Sequence, residues 1–464
     1  MHEKFNISDA QDIYEDIKIK FIGRYSETKN ELKLTLGEVD KEFFRTYIQM
    51  FRKKEFEVNV EKIPSHIKIK EAYNYFYNEI KKKLDDSKNS NEQYLKLKEI
   101  YETFLSKIKV MYVETDNEYE AFIIFETLNA RGKDLETADL LKNHLFRISK
   151  GNLELVKNTW QKILETLEEI DVTRYIRHYW NSKYSFSREK DLYKRLRDKI
   201  STPVDTKEFI EEIEKLSPLY KSLEKPENGF YFDDKDINES LTNLRIMDAS
   251  TFFPLILALE NKGFNEEIIK KIVHNIETLF LRNCVIGDKV ANKYEILFSN
   301  LASKITTETL IDFESINKEL KDNILSDEEF LVAFETAEIK QVTTAKYVLR
   351  EINDFYDNET TIIKDNNKIQ LEHIMPKALG DKWNIDNELH TKYLNKIGNL
   401  TLLYNKLNNK VKNNTFEVKK QSYSESTIQL NKELINFKEW SIKNIESRQK
   451  KLSEIAVKRW SIIE

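Results

Sequence analysis

The sequence predicts a mainly α protein: multi-helical N-terminal and middle regions, then a small strand–loop–strand–helix module flanked by helices. Three observations predict it. Only 9 Gly and 6 Pro occur in 464 residues, so turns are few and long helices are favoured over a many-stranded sheet. Apolar residues recur at three- and four-residue spacing over most of the chain, as at Tyr73, Phe76, Tyr77 and Ile80. Near the C-terminus the pattern shifts to two short apolar runs with strand character, "KIQLEHIM" and "IGNLTLL".

The N-terminal region reads as helices with polar breaks: "DAQDIYEDIKIKFIGRY", "DKEFFRTYIQMFR", "HIKIKEAYNYFYNEIKKKL" and "SNEQYLKLKEIYETFLSKI". Their apolar stripes are expected to be core faces. The run "KIKVMYVET" (107–115) alternates as a strand does and closes a first domain at residue 115. A second helical domain, 116–340, opens with "FETLNARGKDLETADLLKNHLF", in which Gly132 supplies a turn and Thr137 caps a helix carrying Asp139 in its first turn. Later in it comes "FLRNCVIG". The third domain, 341–464, runs helix, polar loop, strand, loop with Trp383, strand, and the helix "YNKLNNKVK"; Asn414 and Glu417 have the spacing of a capping box.

Composition narrows the classes. With 40% hydrophobic residues, 26 Phe and 22 Tyr, the chain folds rather than staying disordered. Cys284 is the sole cysteine, which excludes an intrachain disulfide and a cysteine-based zinc site and fits a reducing cytoplasm. No signal peptide or run of eighteen apolar residues is present, so a soluble intracellular protein is expected. The net charge of −5 is unevenly spread: residues 341–464 hold 21 Lys and Arg against 16 Asp and Glu, and residues 391–420 hold seven lysines and one acid, Glu417. A polyanion would be met there, unless this is simply a solvated lysine face.

Glu372 and His373 end the first of these strands, and Pro376 follows three residues after His373. Alone they say little, because adjacent strand residues point to opposite faces and a lone histidine is more often structural. The second strand adds Asn399, and the helix after it Asn408, with Lys412 and Lys419 beyond. A hairpin packed on a helix would gather Glu372, His373 and Asn408. The remaining histidines, among them His66, His144, His178, His274 and His390, have no such companions and are expected in core or surface roles.

"LEHIMP … IGNLTLL … LNNKVKNNTFEVKK" resembles the C-terminal HNH (ββα-metal) nuclease domain of the GmrSD family of type IV, modification-dependent restriction endonucleases. "FETLNARGKDLETADLLKNHLF" and "FLRNCVIG" resemble its N-terminal, ParB-like half. The resemblance implies a nuclease acting on foreign or modified DNA. His373 would be the general base, and Glu372 and Asn408 would hold Mg²⁺ or Mn²⁺. Asn399 would serve catalysis by bracing the loop behind His373, and Lys412 and Lys419 would contact phosphates. Asn129, Arg131, Gly132, Asp139 and Lys142 read either as the remnant of a sensor pocket or as a structural helix–turn–helix.

One departure matters. The family's Asp-Gly-Gln-Gln-Arg motif does not occur, so dependence on a nucleotide is not carried over. A separate polypeptide carrying the ParB-like half is an expected partner, and self-association stays open. Two readings compete with a DNA nuclease: a non-cleaving, DNA-binding or regulatory subunit, and a nuclease acting on RNA.

Overall fold

The computed structural model describes residues 8–26, 29–50, 63–109, 114, 137–149, 151–356, 368–379, 383 and 385–464. The chain is mainly helical, and it divides into two units, Met1–Glu114 and Thr115–Glu464.

In the first unit the helix Ser8–Ile17 runs on through a wider turn, Lys18–Ile22, and stops at Gly23. Gly23 has φ +97°, a value open to glycine and costly for other residues. The stretch "GRY", read from sequence as the end of a helix, therefore lies in a strand, β1 (Gly23–Ser26). It pairs antiparallel with β2 (Lys29–Leu32), Gly23 opposite Leu32. The helices Pro64–Asp85 and Ser90–Lys107 lie where the spacing predicts them. Proline opens the first of these, where its missing N–H costs nothing. Asn89 caps the second, accepting from Glu92 N at 2.9 Å.

The expectation that the Tyr73–Ile80 stripe is a core face is not met: Phe76 is 64% exposed, Tyr77 46% and Ile80 37%. Periodicity fixes which residues share a face, not what covers it. The buried core described in this unit is small, Ala10 and Tyr94 with Ile13 and Leu97 packed against them. The expected strand at 107–115 falls largely outside the described residues.

The second unit is an array of amphipathic helices from Thr137–Ile148 to Val342–Tyr356, and its main core holds Trp160, Tyr175, Phe253, Ile276 and Phe298. A second core joins Leu281 and Ile286 to Tyr347, Leu402, Leu452 and Trp460. Residues assigned from sequence to separate domains on either side of position 340 thus share one apolar cluster. Arg282 sits in a π-helical turn, Phe280–Ile286, and is fully buried. It donates to the carbonyls of Trp460 and Leu325, both at 2.9 Å, and pairs with Asp327 at 2.7 Å. Burial raises the Cys284 thiol to about 11.

The only other sheet among the described residues is the antiparallel pair β3 (Ile369–His373) and β4 (Leu400–Tyr404), with Glu372 opposite Thr401 and His373 opposite Leu400. The helix Asn405–Val411 follows β4 directly and packs on both strands. The order strand, strand, helix is as the sequence predicts. No helix among the described residues is long and apolar enough to cross a membrane.

Candidate active site at the end of strand β3

Strand β3 is anchored at both ends. At its start, buried Lys346 of the Val342–Tyr356 helix donates to the Ile369 carbonyl at 2.6 Å. Past its end, Ile374 N donates to the Asn399 carbonyl at 2.9 Å, which extends the ladder by one rung. Asn399 is completely buried and lies in a 3-10 turn, Ile397–Asn399, ahead of β4 rather than inside the strand.

The Asn399 side chain acts as a substitute backbone. Its Oδ1 accepts from Met375 N at 2.8 Å, while Nδ2 donates to Met375 O at 3.1 Å and to Leu394 O at 3.0 Å. Only an amide offers donor and acceptor together in this geometry. The segment after His373 is thereby fixed without a partner strand. Behind the turn, buried Arg448 of the Ile442–Arg459 helix donates to the carbonyls of Gly398 at 2.8 Å and Leu400 at 2.7 Å.

Glu372 and His373 are both buried at the end of the strand, and their side chains meet different neighbours. The carboxylate Oε1 of Glu372 accepts from Lys419 Nζ at 2.6 Å and from Tyr423 OH at 3.3 Å. Lys419 also donates to the His373 carbonyl at 2.7 Å. Burial raises the Glu372 carboxyl and lowers the Lys419 ammonium, each opposed by the charge of the other. The His373 imidazole contacts Asn395 Oδ1 through Nε2 at 3.4 Å. Burial brings it down to about 4, against the hydrogen bond to Asn395 and with help from Lys377, Lys419 and His390. It is neutral at neutral pH.

Asn408 lies on the helix that packs against both strands, and its buried Oδ1 has no hydrogen-bond partner. A buried carbonyl oxygen without a donor costs about 1–3 kcal/mol, so it marks a position suited to a ligand. Among the described residues no cluster of three His, Cys, Asp or Glu side chains is placed to hold a metal ion.

The expected phosphate contacts divide. Lys412 is exposed at the end of its helix. Lys419 is fully buried, so the expectation of a surface phosphate contact gives way to a buried ion pair with Glu372. The basic run is also thinner than its count suggested: Lys396 is buried against the Glu335 carbonyl, and Lys410 pairs with Glu425. The expected Asn414–Glu417 capping box does not form. Thr415 is the N-cap, and Asn414 donates to the Lys410 carbonyl instead.

Asp139 and Lys142 pair with each other one turn apart at 3.0 Å on the Thr137–Ile148 helix. Asn129, Arg131 and Gly132 lie outside the described residues. His66, His144, His178 and His274 hold structural hydrogen bonds, but His390 donates its Nε2–H to the Pro376 carbonyl, 2.8 Å away, and so stands beside the site. Sequence reasoning missed His390, Asn395, Tyr423 and Trp440. The i,i+4 spacing of Lys419 and Tyr423 was the one available clue that both face the same way.

The chain is thus mainly helical and presents a buried histidine and carboxylate at the exit of a two-stranded antiparallel sheet with a helix packed on it. Family models give the particular assignment: the N-terminal domain of the GmrSD restriction endonucleases matches residues 6–146, and their C-terminal domain matches residues 324–455. The chain belongs to the GmrSD family of restriction endonucleases, which act on DNA. The C-terminal match contains every residue of the candidate site. "FLRNCVIG" falls between the two matched spans, in neither. No curated protein matches the chain.

Proposed function

We propose that β3, β4 and the Asn405–Val411 helix form an HNH (ββα-metal) nuclease site that hydrolyses phosphodiester bonds of foreign or modified DNA with Mg²⁺ or Mn²⁺. The observation that carries this reading is the buried, neutral His373 next to a buried carboxylate, with the unpartnered Asn408 Oδ1 on the following helix.

The residues fit a hard cation. Glu372 and Asn408 would hold it through oxygen, the donor type such ions take, and the lone Cys284 lies far along the chain in a half-buried, unrelated position. One carboxylate oxygen of Glu372 is engaged by Lys419, and a carboxylate has acceptor capacity beyond that. When bound, the ion supplies charge stabilisation at the phosphate and at the leaving oxygen. His373 does the proton chemistry: with Nε2–H donated to Asn395 Oδ1, Nδ1 is the basic nitrogen that takes a proton from the attacking water. Asn399 holds Ile374 and Met375 so that the imidazole stays at the strand exit. Exposed Lys412 and Lys377 supply positive charge for the DNA backbone.

The test is plasmid cleavage with Mg²⁺ or Mn²⁺, repeated with His373→Ala. Loss of cleavage in the variant is expected, and undiminished cleavage would remove His373 as the base. A second reading, a DNA-binding subunit that does not cut, is favoured by one observation, the Lys419 ammonium already seated on Glu372. Metal-independent DNA binding without nicking under any metal would select it.

A further inference from the structure

Glu372 is the acid that charges the proposed site, and its charge is already balanced. Lys419 Nζ lies 2.6 Å from Oε1, wholly out of solvent, and Tyr423 OH approaches the same oxygen. Lys419 and Tyr423 are four residues apart on the helix Phe416–Ser424, so one helix face delivers both. Lys419 is also tied to the His373 carbonyl at 2.7 Å, which leaves the ammonium little freedom to move away. No second carboxylate is bonded to Lys419 or His373 among the described residues.

Such a pair changes what a divalent cation meets. An ion seated by Glu372 and the neutral Asn408 amide would share the carboxylate with an ammonium a few ångströms away. In a buried setting that repulsion is weakly screened. The missing negative charge has one natural source, the scissile phosphate of the substrate.

We propose that Lys419 makes cation binding at this site conditional on DNA: the phosphate supplies the charge that Glu372 has given to Lys419, so cation and DNA bind with positive coupling. The inference rests on the endonuclease reading above. Coupling of this kind is reciprocal, and the cation tightens DNA by the same factor that DNA tightens the cation. It also keeps the cation site weak until DNA arrives.

The experiment measures Mn²⁺ binding by the electron paramagnetic resonance of the free ion, using His373→Ala so that DNA stays intact, with and without a short duplex. The double variant Glu372→Gln/His373→Ala subtracts ions held by the duplex alone. The duplex is expected to tighten the Glu372-dependent site by about 10-fold or more. Lys419→Gln in the His373→Ala background is expected to bind Mn²⁺ about 10-fold tighter without DNA, and to gain much less from DNA. Equal Mn²⁺ affinity with and without duplex overturns the proposal, as does a folded Lys419→Gln protein that binds Mn²⁺ no tighter. Where Lys419→Gln does not fold, the duplex comparison decides alone. Metal-dependent plasmid cleavage by the unaltered protein, together with DNA-independent Mn²⁺ affinity, leaves the endonuclease reading standing and removes only the coupling. Absence of any Glu372-dependent Mn²⁺ binding removes both.

Discussion

Trp440 donates its indole Nε1–H to Asn399 Oδ1 at 3.1 Å, and that same oxygen accepts Met375 N at 2.8 Å. The indole therefore grips, through one side chain, the backbone two residues beyond His373. Trp440 is itself buried and stacked on Phe416, with ring centroids 5.2 Å apart, at the start of the helix that carries Lys419. Trp440 thus touches both the turn before β4 and the helix that carries Lys419.

Asn399→Ala removes that clamp. It strands Met375 N, the Met375 and Leu394 carbonyls and the Trp440 indole N–H in a buried setting. At about 1–3 kcal/mol for each buried group left unsatisfied, with partial relaxation, the loss is expected to exceed about 3 kcal/mol. Urea denaturation followed by circular dichroism checks it. Trp440→Phe, which leaves Met375 N bonded to Asn399, is expected to cost less than Asn399→Ala in the same measurement, and the reverse order would show that the amide is not the centre of the clamp.

The Lys419–Glu372 pair predicts a non-additive cycle. Lys419→Met leaves a carboxylate buried and unpaired, a loss of about 3–5 kcal/mol, whereas Lys419→Met combined with Glu372→Gln removes both charges together. The double variant is expected to be more stable than Lys419→Met alone. A double variant destabilised by the sum of the two single effects would mean that the charges do not interact across 2.6 Å.

How much of this was legible follows from where each residue lies. Glu372 and His373 end a strand whose alternation and proline stop sit within ten residues, and Asn399 and Asn408 flank the next strand on either side. Local pattern suffices for those four. Lys419 and Tyr423 reach the site from the helix Phe416–Ser424, and Trp440 from the segment just before the helix Ile442–Arg459, and packing partners leave no periodic trace in a single sequence. For the same reason the stripe of Phe76 and Ile80 gave a correct helix and a wrong burial. Gly23 was hidden differently: an apolar periodicity runs straight through it, while its φ of +97° turns the chain into β1.

A pH dependence of stability follows from His178. Its burial, reinforced by Arg177 and Arg174, pushes the imidazole well below 6.5, and Nδ1 faces the Tyr220 hydroxyl at 3.0 Å. The folded state thus binds this proton less readily than the unfolded one. Stability from this group is complete above about pH 6.5 and is lost as pH falls below it, by about 1.4 kcal/mol per pH unit. His274 and His373 are lowered as well and add to the slope. His178→Gln is expected to flatten the acid limb by about one proton in urea midpoints taken between pH 7 and pH 5. An unchanged slope would mean that His178 is protonated in the folded protein.

Gly398 gives the sharpest steric prediction, because the space beside it is already filled. A Cβ built there would stand 2.2 Å from the Ile445 carbonyl oxygen and 3.0 Å from Gln449 N, both backbone atoms of the Ile442–Arg459 helix. Neither can turn aside as a side chain would. Gly398 N donates to Gln449 Oε1 at 2.6 Å, and its carbonyl accepts from Arg448, so the turn and the helix are locked at contact distance. Gly398→Ala must push the Ile397–Asn399 turn off the helix, and Asn399 moves with it. The expected cost is about 3 kcal/mol, the upper end for overpacking, since backbone has to shift. Gly37→Ala is the control: nothing lies within 4 Å of its Cβ position, φ is −60°, and a change within about 0.5 kcal/mol is expected. Because the displaced turn carries the Met375 clamp, Gly398→Ala is also expected to lower plasmid cleavage more than its stability loss accounts for, measured at a temperature where the variant remains folded. Cleavage that tracks only the folded fraction would separate the turn's packing from the role proposed for His373.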